Sequence, residues 1–596
     1  MTVNRISDLG SIISDLDGMG RLVRVHSLVD PIHDLAGIAT KFEGGPRAVL
    51  FENVKGSEHP VFTGLYWSRE LLAKLLGQNE ALLSQYISGR IQEWQAAPVS
   101  PRPVTNGPVR EVTQKQVDLT RLPIPTHATD DGGPYFDAGV VIAKDPETGV
   151  RNASIQRFMV VDENTLTINI DAGRHLELYL EKAAARKTTL PLTINVGVGP
   201  GLHFAAAAPA EAAPADTDEL GIASAFHGEP LELLPGDRSH VEMVANAMYA
   251  FECEIIPGEL DNEGPFAEVT GYYAQRAPRP VVHVKAVHHR NSPIFQTIIS
   301  GQEVFNSVGL LGEANVLSLL QRQVPGITDV YFSHGGCGFY HAIVQITQHR
   351  AGWGKQAIMA AFAAFPPLKM ITIVDDDVNI RDPADVEWAM STRLDPNAGV
   401  VTIENVFGHG LNPSFPNYFG TKIGFDATRP FPFSNEYDRA KMKEMSLNDI
   451  EYTIPGSPSH PTSDNIASSG KISRGENKAK YLLETGKPDF TNPQGNHAKR
   501  KINKDVIFDR IVTVIRDFFN CPDEVMSLQT TALDIDGWDS LAHTILMLEL
   551  ENEFAIKFTA AEALNFNNLS EIVEAVFSHK NRSDINFDSR LSSTLR

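Results

Sequence analysis

The chain has 596 residues, enough for several domains, and 42% of them are apolar, an ordinary share for globular cores. A formal charge of −22 excludes nucleic acid as the main partner, because phosphate binding needs a basic surface that this composition does not supply. Three widely separated cysteines, Cys253, Cys337 and Cys521, make neither a disulfide framework nor a metal-binding spacing.

The N-terminus, MTVNRISDLGSIISDLDGMG, lacks the basic start and apolar core of a signal peptide. No apolar run approaches the roughly 18 residues of a membrane span, so a cytoplasmic protein without a membrane partner is expected. Short helical patterns mixed with the β-rich runs RLVRVH and RAVLFENV predict an α/β domain over residues 1–112. From 113 to 300 the strand-like pieces ASIQRFMVV, TLTINI, LPLTINVGV and PVVHVKAV alternate with turn residues and predict a β-rich domain. The alanine-rich run near 205–216 has no phase and reads as an irregular insertion. From 301 to 454 helical periodicity alternates with strands, as in VLSLLQRQV, VYFSHGGCGFYHAIVQITQ, QAIMAAFAAF and MITIVDDDVNI, which predicts a second α/β layer. HGGCGF at 334–339 lacks the spacing of a dinucleotide-binding loop.

Residues 455–505 read as a solvated linker rich in Pro, Ser, Gly and basic residues; as a coil, its ~50 residues would span about 40 Å. Residues 506–580 carry thirteen acids against four bases and amphipathic runs, which predicts a small acidic helical bundle, followed by a tail at 581–596. In that bundle Leu541, Ile545 and Leu548 share one helical face and leave Glu549 and Glu553 outward.

The segment NEGPFAEVTGYY sets Glu263 and Glu268 five positions apart around Gly264 and Pro265. Proline disfavours helical geometry at the residue before it, so both carboxylates belong to a turn, and the β-branched and aromatic VTGYY predicts that the turn feeds a strand.

Residues 7 to about 450 resemble the UbiD family of prenylated-flavin decarboxylases nearly end to end. The resemblance rests on GRLVRVHSLVDP, AVLFENVKGS, NASIQR, EGPFAEVTGYY, VDDDVNIRDPADVEWAMSTR and GTKIGFDAT, in the family's order. It implies an N-terminal α/β domain, a central flavin-binding domain of split-barrel type and a C-terminal α/β domain used partly for oligomerisation, hence a homodimer or higher homo-oligomer. It also implies that Arg157, Glu263 and Glu268 form a Glu-Arg-Glu network. Two close carboxylates repel, which raises the proton affinity of one while Arg157 holds the other ionised, so Glu268 is expected to carry the proton that replaces carbon dioxide.

By the same resemblance Asn152, His175 and Glu219 match three ligands for a divalent ion, Mn²⁺, with K⁺ as a companion. Carboxylate, amide oxygen and imidazole suit such an ion. Ser154, Ile155, Arg157, Arg174, His175 and Lys422 match cofactor-contacting positions, with Lys422 directed at the phosphate. Losing carbon dioxide from an unsaturated or aromatic acid leaves a carbanion without an electron sink, so a cofactor must supply one. In the family this is prenylated FMN, made by a flavin prenyltransferase. Three departures, Ala267 within EGPFAE, the loop ENVFGHGLNPS and the segment GQEVFNS, bear on the substrate pocket.

The acidic C-terminal segment resembles an acyl or peptidyl carrier protein, a four-helix bundle. LDIDGWDSLAHTILMLELENEF carries the attachment motif, which implies 4'-phosphopantetheine on Ser540, added by a phosphopantetheinyl transferase. A thioester consumes one carboxyl group, so a tethered substrate needs a second, free carboxylate. These features predict a prenylated-FMN-dependent decarboxylase of a small aromatic or α,β-unsaturated carboxylic acid, joined to a carrier domain in specialised metabolite biosynthesis. The alternative is a degenerate scaffold that docks the carrier and partner enzymes; an intact Arg157, Glu263 and Glu268 argues against it.

Overall fold

The computed structural model describes residues 6–171, 173–208, 213, 217–443, 504–519 and 526–531, scattered positions from 534 to 568, and the helix Leu569–Leu591. The chain divides into two compact units, Met1–Ala479 and Lys480–Arg596.

Helix α1 (Leu9–Gly18) is capped by the Asp8 carboxylate, which accepts from the Gly10 and Ser11 amides. Its Leu9, Ile12, Ile13 and Leu16 recur at helical spacing and are buried. Strands β1 (Leu22–Val29) and β2 (Ala48–Val54) pair in parallel, and β3 (Val61–Thr63) runs antiparallel to β2. Helices α2 (Arg69–Leu75) and α3 (Leu83–Ala96) complete this first α/β layer.

The middle of the chain closes into a barrel. Its strands are β4 (Tyr135–Lys144), β5 (Arg151–Val160), β6 (Thr165–Ile168), β7 (Leu190–Val196), β8 (Tyr249–Glu263) and β9 (Ala277–His289), with helix α4 (His175–Arg186) between β6 and β7. Antiparallel pairing runs β8-β7-β4-β5-β6-β9, and β9 pairs back onto β8, so six strands form a ring. The β4–β5 register slips by one residue between Phe136 and Gly139, opposite Arg157. A bulge of this kind re-aims side chains beside it.

After the barrel, the short strand β10 (Phe295–Gln296) returns to the first layer and pairs in parallel with β3. Helix α5 (Leu310–Gln323) leads into the last layer: β11 (Ile327–Phe332), β12 (His341–Ile346), α6 (Trp353–Ala364), β13 (Met370–Asp375), α7 (Pro383–Arg393), β14 (Val400–Phe407) and β15 (Phe419–Asp426). Its sheet is ordered β11-β12-β13-β15-β14. HGGCGF is the turn between β11 and β12.

A buried ion pair links α2 to α5. Arg69 donates to both oxygens of Glu313 at 2.9 and 2.7 Å and to Asn306 at 3.1 Å, while Glu313 also accepts from the Phe332 amide and the Ser84 hydroxyl. Burial alone would raise the Glu313 pKa, but Arg69 outweighs it and holds the carboxylate below its ordinary range. The stability this contributes is present above the ordinary carboxylate range and is lost as pH falls through the lowered folded value. Glu313→Ala leaves Arg69 charged and unpaired in the interior, and should cost about 3–5 kcal/mol. A shift of the urea midpoint measures this; an unchanged midpoint would show that the pair contributes nothing.

In the second unit, helices α8 (Lys504–Phe519) and α9 (Leu569–Leu591) share a core in which Ile507, Ile511 and Ile515 meet Leu546, Leu550, Ile572 and Val576. The Phe519 and Trp538 rings stack at 5.4 Å. Glu553 is exposed as expected and pairs with Arg510. Leu541, Ile545, Leu548, Glu549, Ser540, Cys521 and the linker up to 503 lie outside the described residues, as does most of the alanine-rich run, of which Ala213 is buried. Among the described residues, no helix is long and apolar enough to cross a membrane.

Candidate active site

The end of β8, the bulged β4–β5 pair and a short hairpin bring three charged side chains together. Arg157, on β5, donates through Nε to Glu263 Oε1 at 3.0 Å, through Nη2 to Glu263 Oε2 at 3.3 Å, and through Nη1 to Glu268 Oε1. Glu263 is the last residue of β8 and is fully buried. After it Gly264 takes φ +96°, a value that favours glycine, and Phe266–Ala267 pairs with Tyr273–Ala274. Of VTGYY, expected to be a strand, Val269–Tyr272 form the turn of this hairpin and Tyr273 alone is in its second strand. The Glu268 amide donates to the Tyr272 carbonyl at 2.8 Å, the Gly271 amide donates to the Glu268 carbonyl at 2.9 Å, and Gly271 supplies φ +78°.

Beneath the trio lie two aromatic residues that sequence reasoning missed. The Tyr135 hydroxyl donates to Glu263 Oε1 at 3.1 Å, and the Arg157 guanidinium sits 4.8 Å over the Phe266 ring. Burial works against the charged guanidinium, but Glu268 and Glu263 outweigh it and hold Arg157 ionised. Burial is also the main cause that raises the Glu268 pKa; Arg157 opposes it, and Asp171 and Glu263 add smaller upward pushes. The expected cause is thereby corrected, since loss of water counts for more than repulsion from the second carboxylate.

The last layer contributes an aromatic wall. Phe339, Tyr340 and His409 have ring centres 4.7 to 6.1 Å apart, and the Tyr340 hydroxyl lies 3.4 Å from His409 Nδ1. Burial raises the Tyr340 pKa, with a smaller push from the charge of Glu268; burial lowers that of His409, which also feels Asp171 and Arg174. The departing loop ENVFGHGLNPS thus places His409 against Phe339 and Tyr340.

Asn152, His175 and Glu219 also converge. The Asn152 amide donates to Glu219 Oε2 at 2.8 Å, and His175 Nδ1 lies 3.2 Å from Glu219 Oε1 and 3.3 Å from Asn152 Nδ2. The Ala153 amide, at 2.7 Å, donates to the same Glu219 oxygen as Asn152. Burial raises the Glu219 pKa, and Glu219 raises that of His175. Asn152 Oδ1 and Ser154 Oγ are buried with no hydrogen-bond partner among the described residues. The orphaned Asn152 Oδ1, on a side chain that touches an imidazole and a carboxylate, fits a divalent cation. Among the described residues no group of three or more His, Cys, Asp or Glu forms such a site, and here an amide is the third donor. Ile155 is half-buried on β5, and Arg174 is exposed at the start of α4. Lys422 does not join this cluster: among the described residues its ammonium donates to the Pro366 carbonyl at 2.6 Å and faces the Phe362 ring, and burial lowers its pKa to about 8.

Residues 13–89, 102–303 and 306–427 match, in turn, the N-terminal, Rift-related and C-terminal domains of 3-octaprenyl-4-hydroxybenzoate carboxy-lyase, together more than half of the chain. The chain belongs to the UbiD family. This UbiD-family carboxy-lyase continues into a second match, a phosphopantetheine attachment site over residues 509–576. A protein of Rhodospirillum rubrum from the region 5′ of cooM is 69% identical over 446 residues, covering 75% of this chain and 96% of its own. Anhydromevalonate phosphate decarboxylase of Methanosarcina mazei is 36% identical over 434 residues, covering 72% and 98%. The UbiD-class enzyme HmfF of Pelotomaculum thermopropionicum, solved in complex with FMN, is 36% identical, with a TM-score of 0.70 over 73% of this chain and 97% of that one. An evolved dimeric form of HmfF in complex with prFMN gives a TM-score of 0.67 over the same shares.

Proposed function

We propose that the chain is a non-oxidative, prenylated-FMN-dependent decarboxylase of an aromatic or α,β-unsaturated carboxylic acid, joined to a phosphopantetheine carrier in specialised metabolite biosynthesis. The observation that carries this reading is Arg157, held charged and mostly shielded from solvent between two carboxylates of which Glu268 has a raised pKa. Glu263 and Arg157 orient the substrate carboxylate and hold Glu268 in place. Glu268, as the acid, delivers the proton to the carbon that carbon dioxide leaves. Phe339, Tyr340 and His409 offer flat faces to a conjugated acid. The flavin, when bound, supplies the electron sink that no side chain provides. Asn152, His175 and Glu219 would hold Mn²⁺, whose charge would offset that of the flavin phosphate, with K⁺ as companion. The HmfF complexes with FMN and prFMN, and the dimeric form of that enzyme, support the cofactor and a homo-oligomer. The domain limits at 112, 300, 454, 505 and 580 belong to this reading, as does a cytoplasmic location.

Co-expression with a flavin prenyltransferase, followed by an absorbance spectrum and a carbon dioxide release screen over aryl and enoic acids, tests it. Bound flavin and release from one class are expected; no flavin under those conditions would replace the enzyme with the scaffold reading.

The carrier is tested separately. Coenzyme A and a broad phosphopantetheinyl transferase should add one phosphopantetheine, and Ser540→Ala should abolish the gain in intact-protein mass. An unmodified wild-type chain beside a fully loaded control carrier would remove the assignment. Decarboxylation of free acids survives Ser540→Ala if the carrier serves another step; loss confined to tethered diacids would show that it delivers them.

A further inference from the structure

The loop that carries Glu263 and Glu268 is gripped from outside by residues 128–135, a segment more than 100 positions away in sequence. Asp131 bridges the two with one carboxylate: Oδ2 accepts from the Ala128 amide at 2.8 Å within its own turn, and Oδ1 accepts from the Ala267 amide at 2.8 Å. Beside it the Gly132 amide donates to the Pro265 carbonyl at 2.7 Å, and the Asp130 amide donates to the Tyr273 hydroxyl at 3.3 Å. The Tyr135 hydroxyl reaches the Pro265 carbonyl at 3.3 Å as well as Glu263. A Cβ on Gly132 would lie 2.3 Å from the Gly264 carbonyl oxygen, so only glycine lets the two backbones approach this closely.

Ala267 immediately precedes Glu268. Its amide bond to Asp131 is charge-assisted and therefore among the stronger constraints on the hairpin. Without it, the short Phe266–Ala267 strand is left with its pairing to Tyr273–Ala274, the ring contacts of Phe266 and the bonds to the Pro265 carbonyl, none of which holds the amide next to Glu268. We infer that Asp131 is a positioning residue for the proton carrier: it fixes the backbone from which Glu268 reaches Arg157 and the reacting carbon. This rests on the proposed role of Glu268. A misplacement of about 1 Å in a reacting group can cost on the order of 10²-fold in rate.

Two measurements on the flavin-loaded full-length chain test the inference. In hydrogen–deuterium exchange, amides of residues 266–272 should exchange about tenfold faster in Asp131→Ala, while those of β5 and β7 stay unchanged. Equal exchange in the two proteins would overturn the clamp whatever the enzyme's activity. With the acid identified by the carbon dioxide screen, Asp131→Ala should lower kcat by about 10- to 100-fold at unchanged KM and flavin content. Asp131→Asn, which keeps one acceptor oxygen, should recover most of that loss. On a Glu268→Gln background Asp131→Ala should cost nothing more, because the group it positions is gone. An equal fold-loss on both backgrounds would overturn the inference and leave Asp131 a general structural residue. If Asp131→Ala does not fold, Asp131→Asn enters the same cycle with a several-fold loss on wild type and none on Glu268→Gln. A wild-type chain inactive on every acid would strike the proposed decarboxylation and not the clamp, which the exchange measurement reads by itself.

Discussion

Glu268→Gln is expected to keep flavin and metal and to release carbon dioxide about 10²- to 10⁴-fold more slowly, the usual cost of removing an essential proton carrier. Glutamine has nearly the same shape and still meets Arg157, so packing changes little, but it has no proton to give. The raised pKa of Glu268 adds a second signature. A proton donor is competent below its pKa, so the wild-type rate should fall as pH rises through that value, and the variant should lack this alkaline limb. A pH series of initial rates with both proteins checks this, and a wild-type rate in Glu268→Gln would end the assignment.

Arg157→Ala should be at least as damaging, for a different reason. It removes the cation from between Glu263, fully buried, and Glu268, and leaves the Tyr135 hydroxyl as the remaining hydrogen-bond donor to Glu263 among the described residues. Breaking a buried pair from one side costs about 3–5 kcal/mol unless the orphaned acid takes up a proton. The hairpin should loosen and both activity and flavin content should fall. Arg157→Lys keeps the charge but not the fork that meets Glu263 with two nitrogens, so it should restore flavin content better than turnover. Unchanged flavin and activity in Arg157→Ala would take Arg157 out of the site.

The barrel strands were legible in the sequence because ASIQRFMVV and LPLTINVGV combine β-branched residues with turn punctuation, and the matching segments form β5 and β7. VTGYY misled because its residues favour strands one by one, while Gly271, a residue that readily takes positive φ, makes the turn. The environment of Glu268 could not be read at all. Burial depends on the closing of the barrel and on the core of the last layer, which the neighbouring Val269 joins with Phe339 and Tyr340, and a single sequence shows like charges but not the exclusion of water. Asp131 and Tyr135 were missed for a related reason: they meet Ala267 and Glu263 across 136 and 128 positions. The one available signal was the turn-forming run DDGGP just before a strand, which marks a bend but not its partner. For Lys422 the motif gave a position but not its surroundings, in which the ammonium donates to the Pro366 carbonyl.

The return of β10 to β3 bears on how the protein is made. Phe295 pairs with Val61, and Glu303 receives the Thr63 hydroxyl at 2.7 Å and the Gly64 amide at 2.9 Å, so the first layer is finished by residues that leave the ribosome long after it. At about 5–20 residues per second, the wait is on the order of 10 to 50 seconds. Throughout that interval β3 presents an open edge and buried-type side chains to solvent, an invitation to pair with other nascent chains. A fragment that stops at residue 112 never receives its closing strand and should aggregate, whereas one that runs past Glu313 carries every partner of that edge.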